Sequence, residues 1–122
     1  MTRILIIDDD PQIRLMLSEL LEHEGYESCA VSNGFEALEQ FNKEKPDLVI
    51  TDVVMPDMDG LELMVRLRKQ QPDLKVIAIS GGARIGPESY LKLADRLGAD
   101  ASIAKPMDIF KLLDTVKTFV AA

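Results

Sequence analysis

Short apolar runs alternate with longer amphipathic segments along the whole chain. The runs consist largely of β-branched or small residues, which is typical of parallel strands that are covered on both faces. They are Ile4–Ile7, Cys29–Val31, Leu48–Ile50, Val76–Ile79 and Ala101–Ala104. The pattern therefore predicts five strands.

The segments between these runs carry the start and stop signals of helices. Asp10 followed by Pro11 is typical of a cap and a first helical residue, and Gly25 is typical of the position after a helix end. Comparable signals predict four further helices: one from Asn33 or Gly34 to before Pro46, one over Leu61–Gln70, one over Pro87–Leu97 and one capped by Asp108. Five strands alternating with five helices predict a single α/β domain over residues 1–122, a doubly wound parallel sheet with helices on both faces.

The charge balance excludes some classes of partner. The chain has 21 acidic and 14 basic residues, a formal net charge of −7. This acidity argues against a nucleic-acid contact surface and against an anionic membrane surface. The one cysteine, Cys29, cannot form an intrachain disulfide, and Ile4–Ile7 is too short for a signal peptide or a membrane span. We therefore expect a cytoplasmic protein.

Polar and charged side chains follow four of the predicted strands. They are Asp8, Asp9 and Asp10 after the first, Asp52 after the third, Ser80 after the fourth and Lys105 after the fifth. In doubly wound sheets, ligands bind beyond the carboxyl ends of the strands, so we expect these side chains to converge.

Such a constellation suits phosphoryl transfer. Clustered carboxylates repel one another unless a cation is supplied, and Mg²⁺ uses one or two carboxylates and often bridges to a phosphate. A lysine can pair with a carboxylate or a phosphoryl oxygen, and a serine can donate a hydrogen bond to the same group. An aspartate can itself be the nucleophile and form an acyl phosphate.

Five motifs, in this order along the chain, carry a family resemblance. They are Ile4–Asp10, Asp47–Gly60, Val76–Gly81, Leu97–Ala99 and Ala104–Pro106. With them the chain resembles the receiver domains of response regulators in two-component signalling, from residue 2 to residue 120. The resemblance implies a flavodoxin-like (βα)5 fold and a signalling switch, with intrinsic phosphoryl-transfer and autodephosphorylation activity, that is not otherwise an enzyme.

The resemblance also implies roles for individual residues. Asp52 would accept a phosphoryl group from a sensor histidine kinase or a histidine phosphotransfer protein. Mg²⁺ would be bound by Asp9, Asp52 and the main-chain carbonyl of Val54, with Asp8 acting mainly through a metal-bound water.

Two further residues complete the implied site. Ser80 would reach a phosphoryl oxygen, and Lys105 would pair with the phosphate. The family's Lys-Pro bond is typically cis, so the resemblance implies a cis bond between Lys105 and Pro106, and cis peptide bonds occur mainly before proline.

Three departures from the family pattern concern switching. Ser102 stands where the family usually has a tyrosine or phenylalanine that turns inward, so we expect switching through backbone movement of the Ser80–Pro87 loop. This loop is longer than usual and rich in glycine. Val54 and Gly82 stand where side chains position the water that hydrolyses the acyl phosphate, and because neither is polar we expect a long-lived phosphorylated state.

The resemblance implies surfaces as well. The family docks its kinase through the first helix, and it commonly dimerises or signals through the fourth helix, fifth strand and fifth helix. The chain is either a stand-alone regulator or phosphorelay intermediate, or a receiver fragment of a larger transcriptional regulator.

Other functions remain as alternatives. A metal-dependent aspartyl phosphatase normally has a second acid two residues after the nucleophile, where this chain has Val54, and it needs a substrate-capping segment. A pseudo-receiver would lack part of the acidic and basic set that this sequence retains. A flavin carrier would have a hydroxyl-rich phosphate loop in place of the acidic one.

Overall fold

The structure, a computed structural model, describes residues 2–53, 55, 58–80, 98–105 and 107–120, with Ser80 described by its backbone alone. Strands and helices alternate within these residues. The strands are β1 (Arg3–Ile7), β2 (Glu27–Val31), β3 (Leu48–Asp52), β4 (Lys75–Ser80) and β5 (Ala101–Ala104). The described helices are α1 (Pro11–His23), α2 (Gly34–Lys43), α3 (Gly60–Gln70) and α4 (Ile109–Val120). The predicted helix over Pro87–Leu97 lies outside the described residues.

The five strands form one parallel sheet in the order β2-β1-β3-β4-β5. This confirms the predicted doubly wound sheet. The chain winds outwards from β1 to β2 and then returns to β3 on the other side of β1. The winding direction therefore reverses between β1 and β3, which is where ligands bind in open sheets of this kind.

Alternate residues of β1 enter different apolar layers. Ile4 and Ile6 pack in a buried cluster with residues of α1 and α4, whereas Leu5 and Ile7 pack with residues of α2 and α3. All five residues of β3 are buried. Because successive side chains of a strand point to opposite faces, a central strand covered by helices on both sides is largely apolar, and the two polar residues of β3, Thr51 and Asp52, lie at its carboxyl end.

The predicted helix signals are found at the ends of the helices. The Asp10 side chain caps α1 by accepting a hydrogen bond from the Gln12 N–H, and Gly25 follows α1 with a φ of 89°. Asn33 and Asp59 cap α2 and α3 in the same way. The cap at Asp59 begins α3 at Gly60, one residue before the predicted start. No helix in the described part of the chain is both long and apolar enough to cross a membrane.

A hydrogen-bonded ion pair holds the start of β5 in place, at the amino-terminal ends of the strands. Asp100 Oδ2 accepts hydrogen bonds from Arg68 Nη2 at 2.7 Å and from the Val76 N–H at 2.8 Å. Arg68 Nε also donates to the Leu74 carbonyl at 2.8 Å. The last turn of α3, the start of β4 and the start of β5 are therefore tied together.

Removing this carboxylate should cost stability. We expect Asp100→Ala to lower the free energy of unfolding by about 1–3 kcal/mol, because the partly buried Val76 N–H and the Arg68 guanidinium lose their acceptor. Urea denaturation measures the loss. As a control, Lys117→Ala breaks only an exposed contact to Glu24 at 3.8 Å and should cost at most about 1 kcal/mol. Equal losses in the two variants would contradict the account.

Candidate functional site

The carboxyl edge of the sheet places two aspartates side by side. Asp8 directly follows β1, Asp52 ends β3, and the two strands pair with Ile7 opposite Thr51. Both carboxylate residues are buried, with 2% of Asp8 and 5% of Asp52 exposed, whereas Asp9 is exposed. Burial follows from position, since β1 and β3 are inner strands of the sheet.

The three carboxylates form one cluster. Ligand oxygens of Asp8, Asp9 and Asp52 all lie within 4.8 Å of one another. The turn after β1 is held by hydrogen bonds: Asp8 Oδ1 accepts from the Asp10 N–H at 2.9 Å, and the Asp8 carbonyl accepts from Arg14 Nη1 at 2.8 Å. The cluster is therefore ordered by its own backbone and by α1.

Lys105, which follows β5, lies between the two buried carboxylates. Its Nζ is 2.9 Å from Asp8 Oδ2 and 3.2 Å from Asp52 Oδ2. Burial by itself lowers the pKa of the ammonium. The hydrogen bond to Asp8 and the negative charges of Asp52 and Asp8 outweigh burial, so the pKa of Lys105 lies above its ordinary value. The lysine is therefore charged at neutral pH and neutralises part of the cluster.

The donor set fits a hard divalent cation. Among the described residues, these three carboxylates are accompanied by one ammonium, which hydrogen-bonds to Asp8 and Asp52. Mg²⁺ takes oxygen ligands and retains several waters, and exposed Asp9 leaves one side of the cluster open to solvent. Asp8, Asp9 and Asp52 are the described residues that could hold the ion, which would supply positive charge for an incoming phosphoryl group.

The structure brings together Asp8, Asp9, Asp52 and Lys105, as expected from the strand ends. Ser80 ends β4 opposite Ala104, and its side chain is not described. The predictions made for Val54 and for the Ser80–Pro87 loop, Gly82 included, fall outside the described residues, as does the predicted cis bond at Pro106. Ser102 is partly buried in β5, opposite Ala78.

Two residues beside the site were not predicted from the sequence. Arg14 donates to the Asp8 carbonyl, and Gly60 lies against the main chain of Asp52. The contact of Arg14 could not be predicted from the sequence, because most lysines and arginines on an amphipathic helix are solvated. The position of Gly60 is weakly indicated by the sequence, since this glycine follows an aspartate that can cap a helix.

An apolar groove runs along α1. It has a volume of about 490 Å³ and is lined by Gln12, Leu15, Met16, Glu19, Leu20, His23 and Ile109. Leu15 is 61% exposed, and Phe110, next to the groove in sequence, is 80% exposed. Large exposed apolar side chains of this kind mark interaction surfaces when they are contiguous.

Comparisons with known proteins agree on one family. The family described as response regulator receiver domain matches residues 4–117. The chain is 36% identical over 118 residues to sporulation initiation phosphotransferase F of Bacillus subtilis (strain 168), which covers 97% of this chain and 93% of that protein. It is 32% identical over 115 residues to the chemotaxis protein CheY of Thermotoga maritima, which covers 93% of each.

Solved structures show the same likeness. The response regulator protein TrrA of Thermotoga maritima, crystallised in complex with Mg(2+)-BeF, superposes with a TM-score of 0.85 at 37% identity and covers 98% of this chain and 100% of that one. A response regulator from Chloroflexus aurantiacus superposes with a TM-score of 0.89 at 32% identity, covering 99% and 98%.

Loss of the ammonium should destabilise the metal-free protein. We expect Lys105→Met to lower the free energy of unfolding in EDTA at neutral pH by roughly 2–4 kcal/mol, because it leaves Asp8 and Asp52 buried together without their cation. The raised pKa of Lys105 fixes the pH dependence. Its contribution is fully present below about pH 10.4, the ordinary lysine value, and is lost as the pH rises through the higher folded-state pKa.

Urea denaturation of both proteins across this pH range measures the difference. We expect the difference to be constant between about pH 7 and 9 and to shrink above about pH 10.4. A difference that persists unchanged at the alkaline end would show that the ammonium charge is not its source.

Proposed function

The chain belongs to the response regulator receiver domain family, and on that premise we propose that Asp52 is the residue that accepts the phosphoryl group. Receiver domains are phosphoryl-acceptor signalling switches that take phosphate from histidine kinases or histidine phosphotransfer proteins. The observation that carries the proposal is the position of Asp52: a buried carboxylate at the end of β3, grouped with Asp8 and Asp9 and 3.2 Å from the Lys105 ammonium.

The proposed step is a displacement at phosphorus. A carboxylate oxygen of Asp52 attacks the phosphorus atom, and the bond from phosphorus to the donor histidine nitrogen breaks, leaving its electron pair on the imidazole. Lys105 keeps its proton and donates hydrogen bonds to Asp8 and to a phosphoryl oxygen. Positioning and charge neutralisation supply most of the catalysis in such transfers.

We assign the remaining site roles by resemblance to the family. Asp9 and Asp52 would bind Mg²⁺ directly together with the Val54 carbonyl, and Asp8 would act mainly through a metal-bound water. Ser80 donates a hydrogen bond to a phosphoryl oxygen. Two observations support the proposal that this chain binds Mg²⁺. One is the carboxylate cluster, and the other is the similarity to TrrA, whose crystal structure contains Mg(2+)-BeF.

Regulation and context are proposed on the same basis. Residues 1–122 form one receiver domain, which works in the cytoplasm either alone, as a phosphorelay intermediate, or as part of a larger transcriptional regulator. Val54 and Gly82 provide no polar side chain for hydrolysis, so autodephosphorylation is slow. With Ser102 in place of an aromatic switch residue, we propose that phosphorylation acts through the Ser80–Pro87 loop and through a homodimer face that includes the helix predicted over Pro87–Leu97, together with β5 and α4.

The groove along α1 is the proposed docking surface for the phosphohistidine partner. The Gln12 N–H at one end of the groove bonds to Asp10, next to Asp9, and Ile109 lies four positions after Lys105. A helix that carries a phosphohistidine and packs on Leu15 would therefore bring its imidazole to the carboxylate cluster. Helix-in-groove packing of this kind uses exposed apolar anchors.

Phosphorylation by a small donor tests the acceptor. With Mg²⁺ and acetyl phosphate, we expect the mass of the protein to increase by one phosphoryl group, because Asp52 is the nucleophile. Asp52→Asn should abolish the gain, and Asp73→Asn, a change on the turn before β4, should leave it intact. After removal of the donor, the label should decay over minutes or longer. A gain that survives Asp52→Asn would contradict the assignment, and decay within seconds would contradict slow hydrolysis.

A charge placed in the groove tests docking. We expect Leu15→Glu to slow phosphoryl transfer about tenfold or more, because it places a carboxylate in an apolar contact. The phosphoryl donor for this experiment is chosen from a panel of phosphorylated histidine kinase domains as the one that transfers its phosphoryl group fastest to the unmodified protein. Val65→Glu, on α3 and away from the groove, should transfer at the rate of the unmodified protein. Phosphorylation by acetyl phosphate should be equal in both variants, and unaffected kinase transfer in Leu15→Glu would refute this docking surface.

A further inference from the structure

Two buried glycines occupy the first position of a helix, Gly34 in α2 and Gly60 in α3. Neither has the positive φ that favours glycine, since among the described glycines that conformation occurs at Gly25 and Gly98. An alanine would therefore be compatible with the backbone conformation at Gly60. What requires glycine there is space.

The space beside Gly60 is filled by the main chain of Asp52. A Cβ atom on Gly60 would overlap the Asp52 carbonyl oxygen and would lie 2.9 Å from both the Asp52 carbonyl carbon and Val53 Cα. These are backbone atoms, which cannot rotate away as a side chain can. By contrast, a Cβ on Gly34 would meet the flexible side chain of Met58.

The main chain of Asp52 and Val53 is held from several sides. The Gly60 N–H donates to the Val53 carbonyl at 2.8 Å, and the Val53 N–H donates to the Ile79 carbonyl of β4 at 2.9 Å. The Asp52 carbonyl accepts from Thr51 Oγ1 at 3.0 Å. The start of α3 is thus packed directly on the main chain from which the Asp52 side chain projects.

We propose that Gly60 is a positioning residue for Asp52: by admitting α3 to direct contact with the Asp52–Val53 peptide, it sets the direction of the Asp52 carboxylate towards Asp9 and Lys105. This rests on the proposed role of Asp52 as phosphoacceptor and Mg²⁺ ligand. Any side chain at position 60 displaces the peptide, and the carboxylate moves with it. Small displacements of a ligand or nucleophile are costly, because both ligation and attack need close alignment.

The first test separates positioning from stability. We expect Gly60→Ala to weaken Mg²⁺ binding about tenfold or more, measured from Mg²⁺-dependent shifts in the amide NMR spectrum, and to slow phosphorylation by acetyl phosphate at saturating Mg²⁺. Gly25→Ala is the matched control. Its φ of 89° makes the alanine strained and destabilising, but no neighbouring atom in the described part of the chain lies within 4 Å of the added Cβ. It should keep Mg²⁺ affinity within about twofold.

A second pair of variants tests the proposal without adding an atom. Asp59→Ala removes the cap that accepts from the Glu62 N–H at 2.8 Å and so loosens the start of α3. Asn33→Ala removes the equivalent cap of α2, where the Glu36 N–H donates at 2.9 Å. We expect weaker Mg²⁺ binding in Asp59→Ala but not in Asn33→Ala. Asp59→Asn, which retains a capping oxygen without the charge, should restore the affinity.

These experiments distinguish failure of the positioning role of Gly60 from failure of the proposed function. If the unmodified protein binds no Mg²⁺ and gains no phosphoryl group, the proposed function fails and this inference with it. If the unmodified protein does both, and Gly60→Ala and Asp59→Ala keep its Mg²⁺ affinity, Gly60 is not a positioning residue. Should Gly60→Ala fail to fold, the amide spectrum shows it and the cap variants decide the question.

Discussion

The contact of one ammonium with two buried carboxylates is the interaction on which the site depends. Lys105 Nζ lies 2.9 Å from Asp8 and 3.2 Å from Asp52, and both aspartates are almost inaccessible to solvent. Two carboxylates so placed repel each other, and the lysine offsets only part of their charge. The remaining negative charge, increased by Asp9, is what would attract a divalent cation to the cluster.

That contact requires three strands to end together. Asp8, Asp52 and Lys105 follow or end β1, β3 and β5. The strands β1 and β3 are neighbours, but β4 lies between β3 and β5, so the meeting of all three side chains depends on the register of four strands. The Asp100 ion pair fixes β5 at the opposite edge, and α3 packs on the Asp52 main chain through Gly60. Contacts at the amino-terminal ends of the strands therefore set the register of the sheet, and the carboxyl ends hold the charged site.

The alternation of short apolar runs with amphipathic segments was enough to predict the sheet, because the inner parts of β1 and β3 are covered on both faces and are apolar. The strand ends likewise predicted that Asp8, Asp9, Asp52 and Lys105 would meet, since parallel strands present their carboxyl ends on one edge. The close approach of Gly60 was not predictable, because it depends on the distance between a helix start and a strand. Arg14 and the groove beside Leu15 depend on side-chain directions that periodicity does not encode.

The central claim is that the aspartate cluster binds one divalent cation through the carboxylate that accepts the phosphoryl group. A crystal structure of the protein grown with Mn²⁺, with anomalous scattering recorded, tests it most directly. The account predicts one anomalous peak at the cluster, coordinated by Asp9 and Asp52, with Lys105 still within hydrogen-bond distance of Asp8. An anomalous map without a peak there, or a cation that Asp52 does not coordinate, would contradict it.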